Sequence, residues 1–120
     1  MTDNSNDLEA VEGRGGLEPG RKQNLASLVS YQSGSVVSRT IINRKSGTVT
    51  LFAFDEGEGL SEHTAPYDAL VHVLEGEAEV TVAGEKNTVG EGDGIILPAG
   101  KPHALKAAKR FKMFLTMVRE

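Results

Sequence analysis

The 120-residue sequence contains no cysteine and no tryptophan, and aromatic residues make up only 5% of it. Without cysteine the chain cannot form a disulfide, a thiolate metal site or a cysteine nucleophile. It also has no run of about 18 apolar residues, the length that a membrane-spanning helix needs. The N-terminus shows neither a basic start nor an apolar stretch, so it does not resemble a secretory signal. These absences predict a cytoplasmic protein with no membrane partner.

The net charge of −4 is concentrated near the N-terminus. Residues 1–20 hold five acidic side chains and one basic one, whereas acids and bases balance over residues 21–120. The balanced part therefore produces no overall positive field that would attract nucleic acid. Its one basic cluster, within residues 106–112, is a small footprint for such a surface. We predict that nucleic acid is not a partner.

Composition divides the chain into a tail and a single domain. Residues 1–22 are polar, acidic and glycine-rich, and they show no apolar periodicity. A segment of this kind cannot bury enough apolar surface to offset the entropy lost on ordering. We therefore predict a disordered tail over residues 1–22 and one folded domain over residues 23–120, which is about the length of one domain.

Within that domain the pattern is typical of an all-β protein. About nine short segments alternate between apolar and polar residues or are β-branched, and Gly-containing turns separate them. The Glu75-Gly76 pair predicts one such turn, between strands at residues 70–74 and 77–82. No alternation of strands with helices is present, so a parallel α/β sheet is not expected. The spacing indicates a sandwich, a barrel or a jelly roll.

Two segments punctuated by glycine and proline each contain a histidine. Within residues 57–76, five residues separate the first glycine from His63; within residues 92–103, a Pro-Ala-Gly turn precedes His103. These segments resemble the two signature motifs of the cupin family, whose members are small β-barrels that typically bind a metal through three histidines and one glutamate. The resemblance covers roughly residues 34–118. It implies a cupin-like double-stranded β-helix, also called a jelly-roll barrel.

The resemblance also implies where a site would lie. In the family the ligand positions face the barrel interior, and here alanine occupies two of the four, at Ala65 and Ala69. Strand alternation places Val71 and Val73 on the same face as Ala69. We therefore predict a pocket inside the barrel with a reduced or absent metal site. Its predicted ligand-binding residues are His63, His103, Val71, Val73 and, at the rim, Tyr67.

Three functions remain open at this stage, and so does the question of whether the protein is an enzyme. The first is binding of a small organic molecule, with His63 and His103 as polar or acid–base groups, since histidine titrates near a pKa of about 6.5. The second is a metal-dependent cupin enzyme, an oxygenase or isomerase. Iron, manganese, nickel or zinc would then bind at His63 and His103, and Asp68 would be a weak candidate for a third ligand. The third is a non-catalytic scaffold.

A further expectation concerns the outside of the barrel. Leu70, His72 and Leu74 alternate with Val71 and Val73 and therefore face outward. An apolar outer face predicts a covering layer or a partner, and the resemblance to cupins implies a homodimer. His72 is expected to be structural or interfacial, because it faces away from the predicted pocket.

Overall fold

A computed structural model describes residues 17–119, which form eight β-strands and one short 3-10 helix. The predicted all-β class is confirmed. The helix spans Leu25–Leu28, and no helical segment within residues 17–119 is long and apolar enough to cross a bilayer. Residues 1–16 of the predicted disordered tail lie outside the described residues. The strands are β1 Val36–Arg44, β2 Gly47–Phe54, β3 Gly59–His63, β4 Asp68–Val82, β5 Glu85–Gly90, β6 Gly94–Leu97, β7 His103–Lys106 and β8 Phe111–Val118.

All strand pairs are antiparallel, and they form two sheets that share β4. In the first sheet the order is β1-β2-β8-β4-β6, where the N-terminal half of β4 takes part. In the second sheet the order is β5-β4-β7-β3, where the C-terminal half of β4 takes part. Because one long strand passes from one sheet into the other, the sheets curl around a common interior as a barrel.

The structure corrects the expectation of a chain-reversing turn at Glu75-Gly76. β4 runs uninterrupted through this point, and its register against β8 shifts between Val73 and Glu75. Gly76 has a φ of 78°, and a Cβ there would collide with the carbonyl oxygen of Arg110. A bulge with a left-handed glycine bends the strand without ending it. The two strands expected at residues 70–74 and 77–82 are therefore the single strand β4, and the structure has eight strands where about nine were expected.

Apolar side chains fill the barrel interior. Alternation along the strands directs every second residue inward, and the rings of Phe54 and Phe111 stack there with centroids 4.5 Å apart. The other buried members of this core are Ala69, Val71, Val73, Ala78, Val80, Val89, Leu97, Leu105, Ala107 and Met113.

Part of the outer face of the first sheet is covered by the chain itself. We call residues 25–31 the strap; its Val29 is fully buried against Val37, Leu51 and Ala53. Leu74 and Phe114 pack against the same cluster. The predicted covering layer is therefore present over Leu74, and it is supplied by the same chain.

Polar groups of the sheet hold the strap in place. The ammonium group of Lys112 donates to the carbonyl of Ala26 at 2.6 Å, and the guanidinium of Arg39 donates to the carbonyl of Leu28 at 3.2 Å. The Tyr31 hydroxyl donates to the carboxylate of Glu75 at 2.7 Å. The bonds to Ala26 and Leu28 satisfy carbonyl groups that the single helical turn leaves without an internal donor.

Candidate functional site

The two motif histidines meet at one end of the barrel. His63 is the last residue of β3 and His103 the first of β7, and the two are register partners. Their Nε2 atoms lie 3.2 Å apart, and the rings meet edge to face at 72°. The structure thus brings together two side chains that are 40 positions apart in the sequence.

Backbone contacts fix this end of the barrel. Gly100 has a φ of 78°, as a tight turn requires, and its N–H donates to the carbonyl of Ala65 at 2.8 Å. The N–H of Ala83 donates to the carbonyl of Pro102 at 2.8 Å, which ties the turn after β4 to the residue before His103. The loop over residues 98–102 is therefore anchored on both sides of the histidine pair.

The outer ring nitrogens of both histidines contact backbone carbonyls. The Nδ1 atom of His63 lies 2.9 Å from the carbonyl oxygen of Ser61, and that of His103 lies 3.2 Å from the carbonyl oxygen of Lys101. A carbonyl can only accept, so each contact requires a proton on Nδ1. In neutral rings both Nε2 atoms would then carry lone pairs facing one another. All three contacts are satisfied together when the pair holds one additional proton, shared between the Nε2 atoms.

The two rings differ in their exposure. His63 is exposed to solvent, whereas only 5% of the surface of His103 is accessible. Burial, followed by the charge of His63, lowers the pKa of His103 below its ordinary value, and the hydrogen bond to Lys101 partly opposes this. A second proton is therefore disfavoured, because it would place two positive rings in contact.

The remaining residues of the predicted site lie apart from the histidine pair. Val71 and Val73 have no exposed surface and belong to the core, so a ligand would reach them only if the interior opened. Tyr67 and Asp68 line a groove of about 340 Å³ whose lining includes neither histidine. Asp68 accepts a hydrogen bond from the N–H of Ala99 at 2.8 Å. The predicted roles of Val71, Val73 and Tyr67 in ligand binding, and of Asp68 in metal binding, stay predictions.

The third histidine occupies the opposite face of the sheet, as strand parity predicts. His72 is the register partner of Phe114, and the two rings stack with centroids 4.7 Å apart. Phe114 itself packs on the cluster beneath the strap. His72 is therefore part of the outer surface of the first sheet and does not contribute to the histidine pair.

The donor set does not fit a tightly bound metal. Catalytic zinc sites typically have three protein ligands, and non-haem iron sites typically have two histidines and a carboxylate. Over residues 17–119 no group of three or more His, Asp or Glu side chains is arranged to hold a metal ion. Ala65 and Ala69 supply no ligand atoms. Two imidazoles alone leave most of a coordination sphere to water.

Some determinants of the site could not be recognised from residue types. The carbonyl groups of Ser61 and Lys101 orient the two rings, yet every residue carries a carbonyl. Val82 lies opposite His103 in the β4–β7 register and is half-buried. The alternation of residues 77–82 indicates that Val82 faces inward, but only the register places it beside the histidine.

The two-sheet barrel with a histidine from each motif at one end defines a cupin-type fold. A sequence model of the cupin domain matches residues 50–118, and the chain belongs to this family, whose members often bind metals. A conserved protein of unknown function from Streptococcus pyogenes is 36% identical, with a TM-score of 0.82 over 87% of this chain and 91% of that one. A comparison with curated proteins finds no match.

Two further solved structures agree with this assignment. A cupin 2 conserved barrel domain protein from Leptotrichia buccalis is 41% identical, with a TM-score of 0.78 over 81% of this chain; the match spans only 47% of that longer protein. A cupin superfamily protein from Desulfitobacterium hafniense is 32% identical, with a TM-score of 0.82 over 87% of this chain and 95% of that one. These similarities establish the family and leave the substrate open.

Proposed function

We propose that the protein binds a small organic anion, such as a carboxylate, at the end of the barrel where His63 and His103 meet. The observation that carries the proposal is the 3.2 Å contact between the Nε2 atoms of two rings whose Nδ1 atoms both contact carbonyl oxygens. A pair that holds one extra proton carries a single positive charge. Because His103 is buried, the attraction of this charge for an anion is screened less there than in bulk water.

The surroundings supply the apolar half of such a site. Val82 lies beside His103 in the β4–β7 register and keeps part of its surface accessible. The rest of the barrel interior behind the pair is apolar. Sites for small molecules usually combine an apolar lining with a few polar groups that fix orientation. Here the exposed ring of His63 makes the first contact, and the buried ring of His103 fixes the position of the shared proton.

Imidazole NMR resonances test this proposal directly. We expect small monocarboxylates to shift the imidazole signals of His63 and His103. Their neutral amide analogues should leave these signals unchanged. His63→Gln should abolish the response. His72→Gln is the matched control, because His72 lies on the outer face, and it should leave the response intact. Carboxylates that shift no histidine signal, or that act equally on the His63→Gln variant, would refute the proposal.

A metal-dependent enzyme is the second candidate, and the same contact supports it. Two Nε2 lone pairs that converge, with both Nδ1–H groups held by acceptors, resemble the way in which proteins orient metal-ligating histidines. The incomplete donor set argues against tight binding. We expect protein purified without chelator to contain well under one equivalent of iron, manganese, nickel or zinc.

Restoring the family's ligand types provides the converse experiment. Ala65→His together with Ala69→Glu should raise metal affinity by orders of magnitude, because two ligand atoms are added to two existing ones. Ala69 is buried and faces the interior, so the variant should lose stability without metal and regain it when metal is added. Near-stoichiometric metal in the unaltered protein would favour the enzyme over the anion-binding site.

A further inference from the structure

The turn between β6 and β7 determines where the ring of His103 points. It spans residues 98–101, since the N–H of Lys101 donates to the carbonyl of Pro98 at 3.2 Å. Gly100 occupies its third position with a φ of 78°, as in a type II turn. The carbonyl of Lys101, at the end of the turn, lies 3.2 Å from the Nδ1 atom of His103. A displacement of the turn would therefore move the acceptor that orients this ring.

The turn is held in place through its spare backbone donors. A type II turn leaves the N–H groups of its second and third residues without a partner inside the turn. Here the N–H of Gly100 donates to the carbonyl of Ala65, and the N–H of Ala99 donates to the carboxylate of Asp68, each at 2.8 Å. Both acceptors belong to the segment that follows His63. The loops on the two sides of the histidine pair are thus joined to each other.

Asp68 differs from the other partners of the turn because it acts through its side chain. The hydrogen bonds that Lys101 and Gly100 donate end on backbone carbonyls, which any residue would supply. Asp68 is the first residue of β4, where its register partner is Val118 of β8. The sheet therefore fixes its backbone, and its carboxylate extends this fixed position to Ala99. A hydrogen bond to a carboxylate is roughly twice as strong as one between neutral groups.

Asp68 reaches the histidine pair through the turn and not directly. It has the same strand parity as Leu70 and His72, on the outer face of the first sheet. Together with Ala99 it lines the groove of about 340 Å³ whose lining includes neither motif histidine. A substitution at Asp68 can therefore shift the turn without removing an atom from the pair.

We propose that Asp68 is a positioning residue of the anion-binding site. Its carboxylate holds the turn so that the carbonyl of Lys101 directs the ring of His103 towards His63. This inference rests on the proposed function and adds to it a residue that does not touch the ligand. The role has an electrostatic signature, because a negative charge near the pair by itself weakens the binding of an anion. Removal of that charge weakens binding only if Asp68 contributes through the turn.

Acetate titrations followed by imidazole NMR separate the two effects. Asp68→Ala removes charge and acceptor together and should weaken acetate binding by about 10-fold, the scale of one hydrogen bond to a charged group. Asp68→Asn removes the charge but retains an acceptor, and its affinity should stay within about 3-fold of the unaltered chain. Asp93→Ala is the matched control: Asp93 accepts from the N–H of Gly90 just before β6, and its loss should leave the affinity unchanged. Asp68 is exposed, so its variants should remain folded by circular dichroism.

Imidazole nitrogen shifts without acetate test the positioning separately from the proposed function. In Asp68→Ala the shifts of His103 should move towards a mixture of tautomers, whereas those of His63 should not change, because its acceptor is the carbonyl of Ser61 on β3. If the unaltered chain does not bind acetate but the His103 shifts still move, the proposed function fails and the positioning stands. Unchanged His103 shifts, tighter acetate binding by Asp68→Ala, or equal damage from Asp68→Asn would overturn the positioning.

Discussion

Replacing Val29 by alanine tests whether the strap is a structural part of the domain. The side chain of Val29 has no accessible surface and packs against Val37, Leu51 and Ala53. The change removes two carbon atoms, worth about 1.6 kcal/mol of transfer free energy at about 0.8 kcal/mol per carbon. A partly unfilled cavity increases the loss to about 2 to 2.5 kcal/mol. For a domain of this size the melting temperature should fall by roughly 10 °C.

Urea denaturation followed by circular dichroism measures this loss, at a protein concentration that is held constant across variants. Ser30→Ala is the matched control, because Ser30 is the next residue of the strap and is exposed; its effect should be within about 0.5 kcal/mol. An equally small effect for Val29→Ala would show that the strap does not pack on the sheet in solution. The outer face would then be uncovered over its whole width.

Three further predictions concern the site, the bend and the tail. Because the pKa of His103 is lowered in the folded state, the unfolded state binds more protons below about pH 6.5; the unfolding free energy should fall towards pH 5, and less so in His103→Gln. Gly76→Ala should cost about 2 kcal/mol or more in denaturant melts. Gly92→Ala, at a similar φ of 86° with open space around it, should cost about 1 kcal/mol. Deletion of residues 1–20 should change the melting temperature by less than about 3 °C in calorimetry, and a larger loss would mean that this segment packs on the domain.

Strand positions could be predicted where one face is buried and the other is not. Residues 77–82 alternate strictly, and they form the second half of β4 as expected. The same rule placed His72 outward, and the structure agrees. Period-two patterning records which side of a sheet a residue occupies, so it transfers directly from sequence to structure.

Chain direction at Glu75-Gly76 could not be predicted in the same way. A glycine with positive φ serves a hairpin turn and a bulge equally well. The choice at Gly76 depends on whether the strand beyond it continues beside new partners, as β4 does when it leaves β8 and meets β5 and β7. β5 follows β4 directly, whereas β7 lies further along the chain, at residues 103–106. The pattern around Gly76 carries no information about pairing with β7.

The position of the strap on the sheet could not be predicted from the sequence for a different reason. Residues 24–29 show a short amphipathic pattern that indicates either one helical turn or a leading strand, and the structure contains the helical turn. Its position over Leu51 and Ala53 depends on donors far away in the sequence: Lys112 is 86 positions from Ala26. Four helical residues cannot hold a helix by themselves, so the conformation of the strap follows from the surface that it covers.

The histidine pair shows which part of the chemistry of a site motif spacing can predict. The spacing indicated His63 and His103 as candidate site residues, because each motif sets its histidine at a strand end beside a glycine-containing turn. The protonation of the pair depends instead on the carbonyl groups that contact the two Nδ1 atoms. It also depends on the lack of ligand atoms at positions 65 and 69. With glutamate and a third histidine at positions 69 and 65, converging Nε2 lone pairs would serve a metal. With alanine at both positions, we propose that a shared proton satisfies the same lone pairs, and its positive charge is what an anionic ligand would meet.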